Sequence, residues 1–180
     1  MNEPKVIDLI EKARECYEKA IELLSQGDYH DVAEKAWNAI EYMRKAFLIA
    51  LNIPYEKAKT VSQGLVLFSD ILRKLERKEI LRIYDQLMLK LHILGFYEQI
   101  TPPDEIDELI RITTRYFISQ MEDIINKIKG IDLSQAAKFI DKMAKIKSDI
   151  VAKSAELYEV RQSYIAYIER ALAKISKQRE

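Results

Sequence analysis

The sequence predicts an all-α protein: an up-and-down bundle of four long helices and one short one, followed by a C-terminal long helix or helical hairpin. Three observations predict it. Apolar residues recur at three- and four-residue spacings through most of the 180 residues. No run of period-two alternation bounded by turn residues marks a strand. Only four glycines and four prolines punctuate the chain, too few for a fold rich in short strands and tight turns.

In the first helix, Val6, Leu9, Ile10, Ala13, Cys16, Tyr17, Ala20 and Leu24 form one apolar stripe, with Glu11, Lys12, Glu15, Glu18 and Lys19 on the other sides. Pro4 suits the first turn, where its missing N–H has no helical partner, and Gly27 suits a left-handed helix end. Asp28 is placed to cap a second helix carrying Val32, Ala36, Ala39, Ile40, Met43, Phe47 and Ala50, which Pro54 stops. The link is so short that the two helices must lie antiparallel, and Ala33, Ala36 and Ala39 allow close approach.

The pattern lapses from Ile53 to Gln63, and Leu65 to Leu75 then reads as a short helix. Ile80, Ile83, Tyr84, Leu87, Leu91 and Leu94 mark a long helix expected to end at Gly95. After Pro102 and Pro103, with Thr101 or Asp104 as the expected cap, the stripe runs from Ile106 through Phe117, Met121 and Ile124 to Ile128. Residues 1–130 are therefore expected to form the bundle. In 131–180, Met143, Ile150, Leu157, Tyr164 and Ala171 recur every seventh residue, a heptad seam that needs an apolar partner. This extension either folds back over the bundle or pairs with another subunit; a homodimer is the expectation.

Composition narrows function more by exclusion than by indication. The 29 basic and 29 acidic residues balance, so no global field draws in nucleic acid. The single cysteine, Cys16, lies on an apolar stripe and excludes an intrachain disulfide. No apolar run approaches the ~20 residues that cross a bilayer, and the expected location is the cytoplasm. Abundant Ile, Lys and Glu with few Asn fit a thermophilic source.

His92, in Leu91-His92-Ile93-Leu94-Gly95-Phe96-Tyr97-Glu98, is the first candidate for chemistry, since a histidine can take and give protons near neutrality. Asp85 and Arg82 precede it on the same helix. Two helical turns put Asp85 about 10 Å from His92, too far for a hydrogen bond, so they are no dyad by themselves. Tyr97, Arg111 and Arg115 complete the candidate binding set, and Tyr116 is a further neighbour. A structural histidine bonded to a loop carbonyl is the simpler reading, because no partner is evident. Asp28, His30 and Asp31 match no metal-ligand spacing, and capping explains the aspartates. Trp37 is expected at the edge of its stripe. Without a Gly-rich phosphate loop, a His-Glu-x-x-His, a paired CxxC or a Gly-x-Ser-x-Gly, no metal or cofactor is expected.

The stretch Ala20-x6-Gly27-Asp28-Tyr29-x3-Ala33-x2-Ala36-Trp37-x-Ala39, with Arg44-Lys45-Ala46 and the His92 motif, resembles the archaeal PaREP family, which is related to the HEPN superfamily of small helical bundles. The resemblance covers about residues 4–129. It implies an up-and-down bundle that commonly dimerises, in a superfamily that includes RNA-cleaving toxins and partners of nucleotidyltransferases. The cleaving members carry an Arg separated from His by four to six intervening residues; here those positions before His92 hold Leu87, Gln86 and Asp85. The expected function is thus a non-catalytic binding or interaction module tied to nucleotide or RNA metabolism. The alternatives are a ribonuclease or nucleotide-processing enzyme, whose Arg82, Asp85, His92 and Arg111 would converge in one cleft, and a purely structural scaffold. A tetratricopeptide solenoid is disfavoured, because no second copy of the hairpin appears at a fixed period.

Overall fold

The computed structural model describes residues 3–53, 55–58 and 64–128, together with positions 163, 166 and 170. The described residues are helical with no strand. Helix α1 (Glu3–Gln26) and helix α2 (Tyr29–Ala50) form the predicted antiparallel hairpin. A single turn, α3 (Tyr55–Ala58), and the short α4 (Val66–Lys74) lead to α5 (Lys78–Leu87). That helix widens into a π-helical segment, π1 (Met88–Tyr97). The last described rod is α6 (Pro103–Glu108), a second π-helical segment, π2 (Leu109–Thr114), and α7 (Arg115–Ile128). None of the described helices is long and apolar enough to cross a membrane.

The helix ends obey the expected chemistry at the hairpin. Gly27 has φ 74°, and the N–H groups of Gly27 and Asp28 return to the carbonyls of Leu24 and Leu23, closing α1. The Asp28 carboxylate accepts the backbone N–H of Asp31 at 3.3 Å, capping α2. The same closing pattern ends α2 at Asn52 (φ 59°) and α4 at Glu76 (φ 57°), neither of them glycine.

Two expectations about boundaries are corrected. The helix through His92 does not stop at Gly95 but continues to Tyr97. A β-carbon on Gly95 would lie 2.9 Å from the Lys90 carbonyl oxygen and 3.0 Å from the Ala33 β-carbon, so this glycine is the point where π1 presses on α2. Neither Thr101 nor Asp104 caps the next helix. Pro102 takes the extended cap position instead, and the Thr101 hydroxyl donates to the Lys90 carbonyl at 2.9 Å.

Helix α2 is the central rod, packed by α1 on one side and by π1 and α7 on the others. Ala33, Ala36, Ala39, Ala46 and Ala50 are all fully buried along it, and their small side chains let the neighbours approach. Two long-range pairs set how the last two rods lie. Lys90 bridges Glu105 at 2.9 Å, and the Tyr116 hydroxyl donates to Glu79 at 3.3 Å. Eleven residues separate the paired positions on each rod, so α5–π1 and α6–π2–α7 run antiparallel in one register. The division at residue 130 and the dimer-forming heptad of 131–180 fall outside the described residues.

Candidate functional site

The polar centre lies where α2 meets α5. Arg44 is 1% exposed, and among the described side chains it is one of only two buried polar ones, the other being Thr114. Its guanidinium grips Glu41, one turn earlier, with Nε and Nη2 each donating at 2.8 Å. This fork-on-fork pairing is the strongest geometry available to an arginine. The Tyr84 hydroxyl reaches across from α5 and donates to the same carboxylate at 2.8 Å, while Arg44 Nη1 donates to the Ala58 carbonyl at 3.1 Å. Three helical elements are thereby tied to one charge pair. Gly64 leaves space for it, because a β-carbon there would sit 2.8 Å from Arg44 Nη1 and 2.5 Å from the Ala58 oxygen.

The electrostatics follow from this packing. Burial alone would raise the Glu41 carboxyl, but the hydrogen bonds and charge of Arg44, aided by Tyr84 and Lys45, outweigh it and hold Glu41 below its ordinary value. Burial and the adjacent Glu41 charge drive the Tyr84 hydroxyl far above its ordinary range, so it remains a donor. Lys45, 4.0 Å from Glu41, is lowered by its own burial against the pull of that carboxylate. Charges here neutralise one another. None is poised to move a proton near neutral pH.

His92 stands beside this centre and outside its hydrogen bonds. Its ring stacks on Trp37 at 4.9 Å, with an interplanar angle of 20°, and Tyr97 meets it edge-on at 4.9 Å. His30 stacks on Phe96 at 4.7 Å, and Phe96 touches Tyr97, so both histidines of the chain belong to one aromatic seam between α2 and π1. The buried Nδ1 atoms of His30 and His92 find no hydrogen-bond partner among the described residues. Burial lowers the His92 pKa against the raising influence of Glu41, which favours the neutral ring. The loop-carbonyl bond expected of a structural histidine is not made among the described residues; stacking holds the ring instead.

The other predicted residues do not gather around His92. Arg82 and Asp85 are exposed on α5, and the charged group acting on Asp85 is Arg73 of α4. Arg111 is exposed and bridges Asp107 at 2.9 Å. Arg111 and Arg115 both act on the Tyr17 hydroxyl of α1, a different face of the bundle. Only Tyr97 joins His92 directly. The single cleft required by an Arg82–Asp85–His92–Arg111 enzyme is therefore not formed among the described residues. Trp37, expected at a stripe edge, is core: 8% exposed, and against Tyr84 as well as His92.

Sequence reasoning passed over Glu41, Arg44 and Tyr84 as a unit. A signal existed in Arg44, which lies four residues from both Ile40 and Leu48 and so falls on the apolar stripe, with an acid one turn before it. Tyr84 could not be joined to them from sequence, because the bond spans 43 residues.

Fold and site together define an all-α bundle domain whose interior charges fasten helices and whose flank carries an aromatic seam. The profile of the archaeal PaREP1/PaREP8 family matches residues 8–115, more than half of the chain, and the chain belongs to that family. No curated protein and no solved structure matches it.

Proposed function

We propose that this protein is a non-catalytic binding module of the HEPN-like type, acting in the cytoplasm in nucleotide or RNA metabolism, with the His92–Tyr97 end of the aromatic seam as its contact surface. The observation that carries the reading is the state of His92. It is stacked, inclined to neutrality and without an acid or base in hydrogen-bond reach among the described residues, whereas Tyr97 beside it is 65% exposed. A flat, exposed aromatic backed by two more rings suits stacking of a base, and base–aromatic stacking contributes about 1–3 kcal/mol per base.

Purified protein is to be titrated with a fluorescent single-stranded oligoribonucleotide and incubated with structured and unstructured RNA. Binding that weakens about tenfold in Tyr97→Ala, with no cleavage, supports the module. Cleavage that disappears in His92→Ala would establish the ribonuclease alternative, and no binding at all would leave a scaffold.

A further inference from the structure

The hairpin and the single turn α3 bring three lysines and two tyrosines onto one flank of the bundle. Lys5, Asp8 and Lys12 follow one another at three- and four-residue spacing along α1, which puts the two part-exposed lysines about 10 Å apart on one face. Tyr42 and Lys45 of α2 and Tyr55 of α3, 38% exposed, complete the group. The Lys5 ammonium lies over the Tyr55 ring at 4.9 Å, and the Lys45 ammonium lies over the Tyr42 ring at 5.4 Å. Lys12 joins the two halves, because the phenol groups of Tyr42 and Tyr55 both act on it.

The rings are held in place and the charges are not cancelled. Tyr42 packs against the core. Tyr55 belongs to a helix too short to persist alone, and α3 is fixed because the buried Ala58 at its end gives its carbonyl to Arg44 at 3.1 Å. Asp8 is shared by Lys5 at 3.2 Å and Lys12 at 3.0 Å, while Glu41, 4.0 Å from Lys45, is already gripped by Arg44. With Arg44 and Glu41 neutralising each other, Lys5, Lys12 and Lys45 face Asp8 and, at the border beside Tyr55, Glu56. The flank is left locally positive on a chain whose formal charge sums to zero.

Ammonium groups resting on ring faces suit a ligand that offers anions and flat rings together. An acidic peptide supplies carboxylates without the rings, and a duplex supplies phosphates with its base faces hidden. A single strand supplies both, since a lysine that turns from ring to phosphate leaves the ring face open to a base. We propose that Lys5, Lys12 and Lys45 with Tyr42 and Tyr55 form a binding site for a single-stranded polynucleotide, in which the lysines meet phosphates, Tyr42 seats Lys45 and Tyr55 stacks on a base. The site goes beyond the surface at Tyr97 and shares no residue with it.

Fluorescence anisotropy of a labelled oligouridylate of about 12 nucleotides, titrated with the full chain at about 50 mM salt, tests it. Tyr55→Leu is expected to weaken binding about tenfold without changing its salt dependence, and Tyr55→Phe, which keeps the ring, to bind within about twofold of the native chain. Lys5→Gln with Lys12→Gln is expected to weaken binding and to flatten the slope of log affinity against log salt by about 1.4, two phosphate contacts at about 0.7 each. Lys78→Gln, exposed on α5, is the charge control and should bind as the native chain does. Circular dichroism confirms that each variant keeps its helices. Undiminished binding by Tyr55→Leu overturns the proposal. So does a loss in Lys78→Gln equal to that of the lysine pair, a duplex or a polyphosphate of equal charge bound as tightly as the single strand, or no binding at all. A loss confined to Tyr97→Ala would keep the surface at Tyr97 and overturn this one, and a loss confined to Tyr55→Leu and the lysine pair would do the reverse.

Discussion

Replacing Glu41 with Gln changes the side chain's shape least and its electrostatics most. The substitution removes the charge that two 2.8 Å bonds from Arg44 and one from Tyr84 are built around, and it turns an amide N–H₂ toward a guanidinium that can only donate, or toward a Tyr84 hydroxyl that must then reverse its bond. Arg44, 1% exposed, cannot recover water. Stripping one member from a buried pair costs about 3–5 kcal/mol, a large share of the stability of a small domain. Arg44→Met is expected to cost less, about 1–3 kcal/mol, because the Glu41 side chain is 18% exposed and keeps Tyr84 and Lys45. Combining Glu41→Leu, Arg44→Met and Tyr84→Phe removes every polar member at once and should recover at least about 2 kcal/mol of the summed single losses. Urea denaturation of the native chain, Glu41→Gln, the three single variants Glu41→Leu, Arg44→Met and Tyr84→Phe, and the triple variant measures this. A cost below about 1 kcal/mol for Glu41→Gln, or strict additivity across the set, would refute the claim that the pair is a buried, mutually dependent unit. The pH dependence gives a second check. Because the folded-state pKa of Glu41 is depressed, its contribution is complete above the ordinary value of 4.5 and is lost as pH falls through the lower folded value. Glu41→Gln should lack that acid-side slope.

Three more outcomes follow from the helix contacts. Gly95→Ala should destabilise by about 1–3 kcal/mol in thermal or urea unfolding, since its β-carbon would press on the Lys90 carbonyl and on Ala33, and Ala33→Gly should restore part of the loss. Glu76→Gly should raise stability by up to about 1 kcal/mol, because residue 76 holds φ 57° at the end of α4; an unchanged midpoint would show that the left-handed position carries no strain. His92→Phe keeps the stack on Trp37 and removes the titration. Burial lowers the His92 pKa in the fold, so the native chain should lose stability relative to this variant as pH falls below the ordinary 6.5, the loss becoming complete below the depressed folded value. Parallel stability curves from pH 8 to 5 would contradict it.

The hairpin was readable because its determinants are local. Gly27 and Asp28 close and cap within four residues of themselves, and the alanines that face α1 and π1 repeat at helical spacing. Gly95 was misread as a terminus because a glycine that ends a helix and one that admits a neighbouring helix look alike until the neighbour, Ala33, is known. The π-helical widenings at Met88–Tyr97 and Leu109–Thr114 were likewise not legible, since an added residue per turn shifts the apolar phase only slightly over so short a stretch. Of the candidate residues, His92 and Tyr97 are neighbours in sequence and their rings meet in the fold. Arg82, Asp85, Arg111 and Arg115 were grouped with them by type, and type does not specify which side of a rod meets which neighbour.

What the sequence by itself determined is what one helix can encode: its length, its caps, its apolar stripe and, through a short turn, its antiparallel partner. Residues 3–50 needed nothing more. What the tertiary structure decided is which polar groups meet across rods. A buried arginine is tolerated at position 44 because Glu41, Tyr84 and the Ala58 carbonyl surround it, and the Nδ1 of His92 can lie without a hydrogen-bond partner among the described residues because Trp37 and Tyr97 pack on its ring. Those partners come from separate elements, so their convergence is a property of packing, set by hydrophobic burial along whole helices rather than by any local motif.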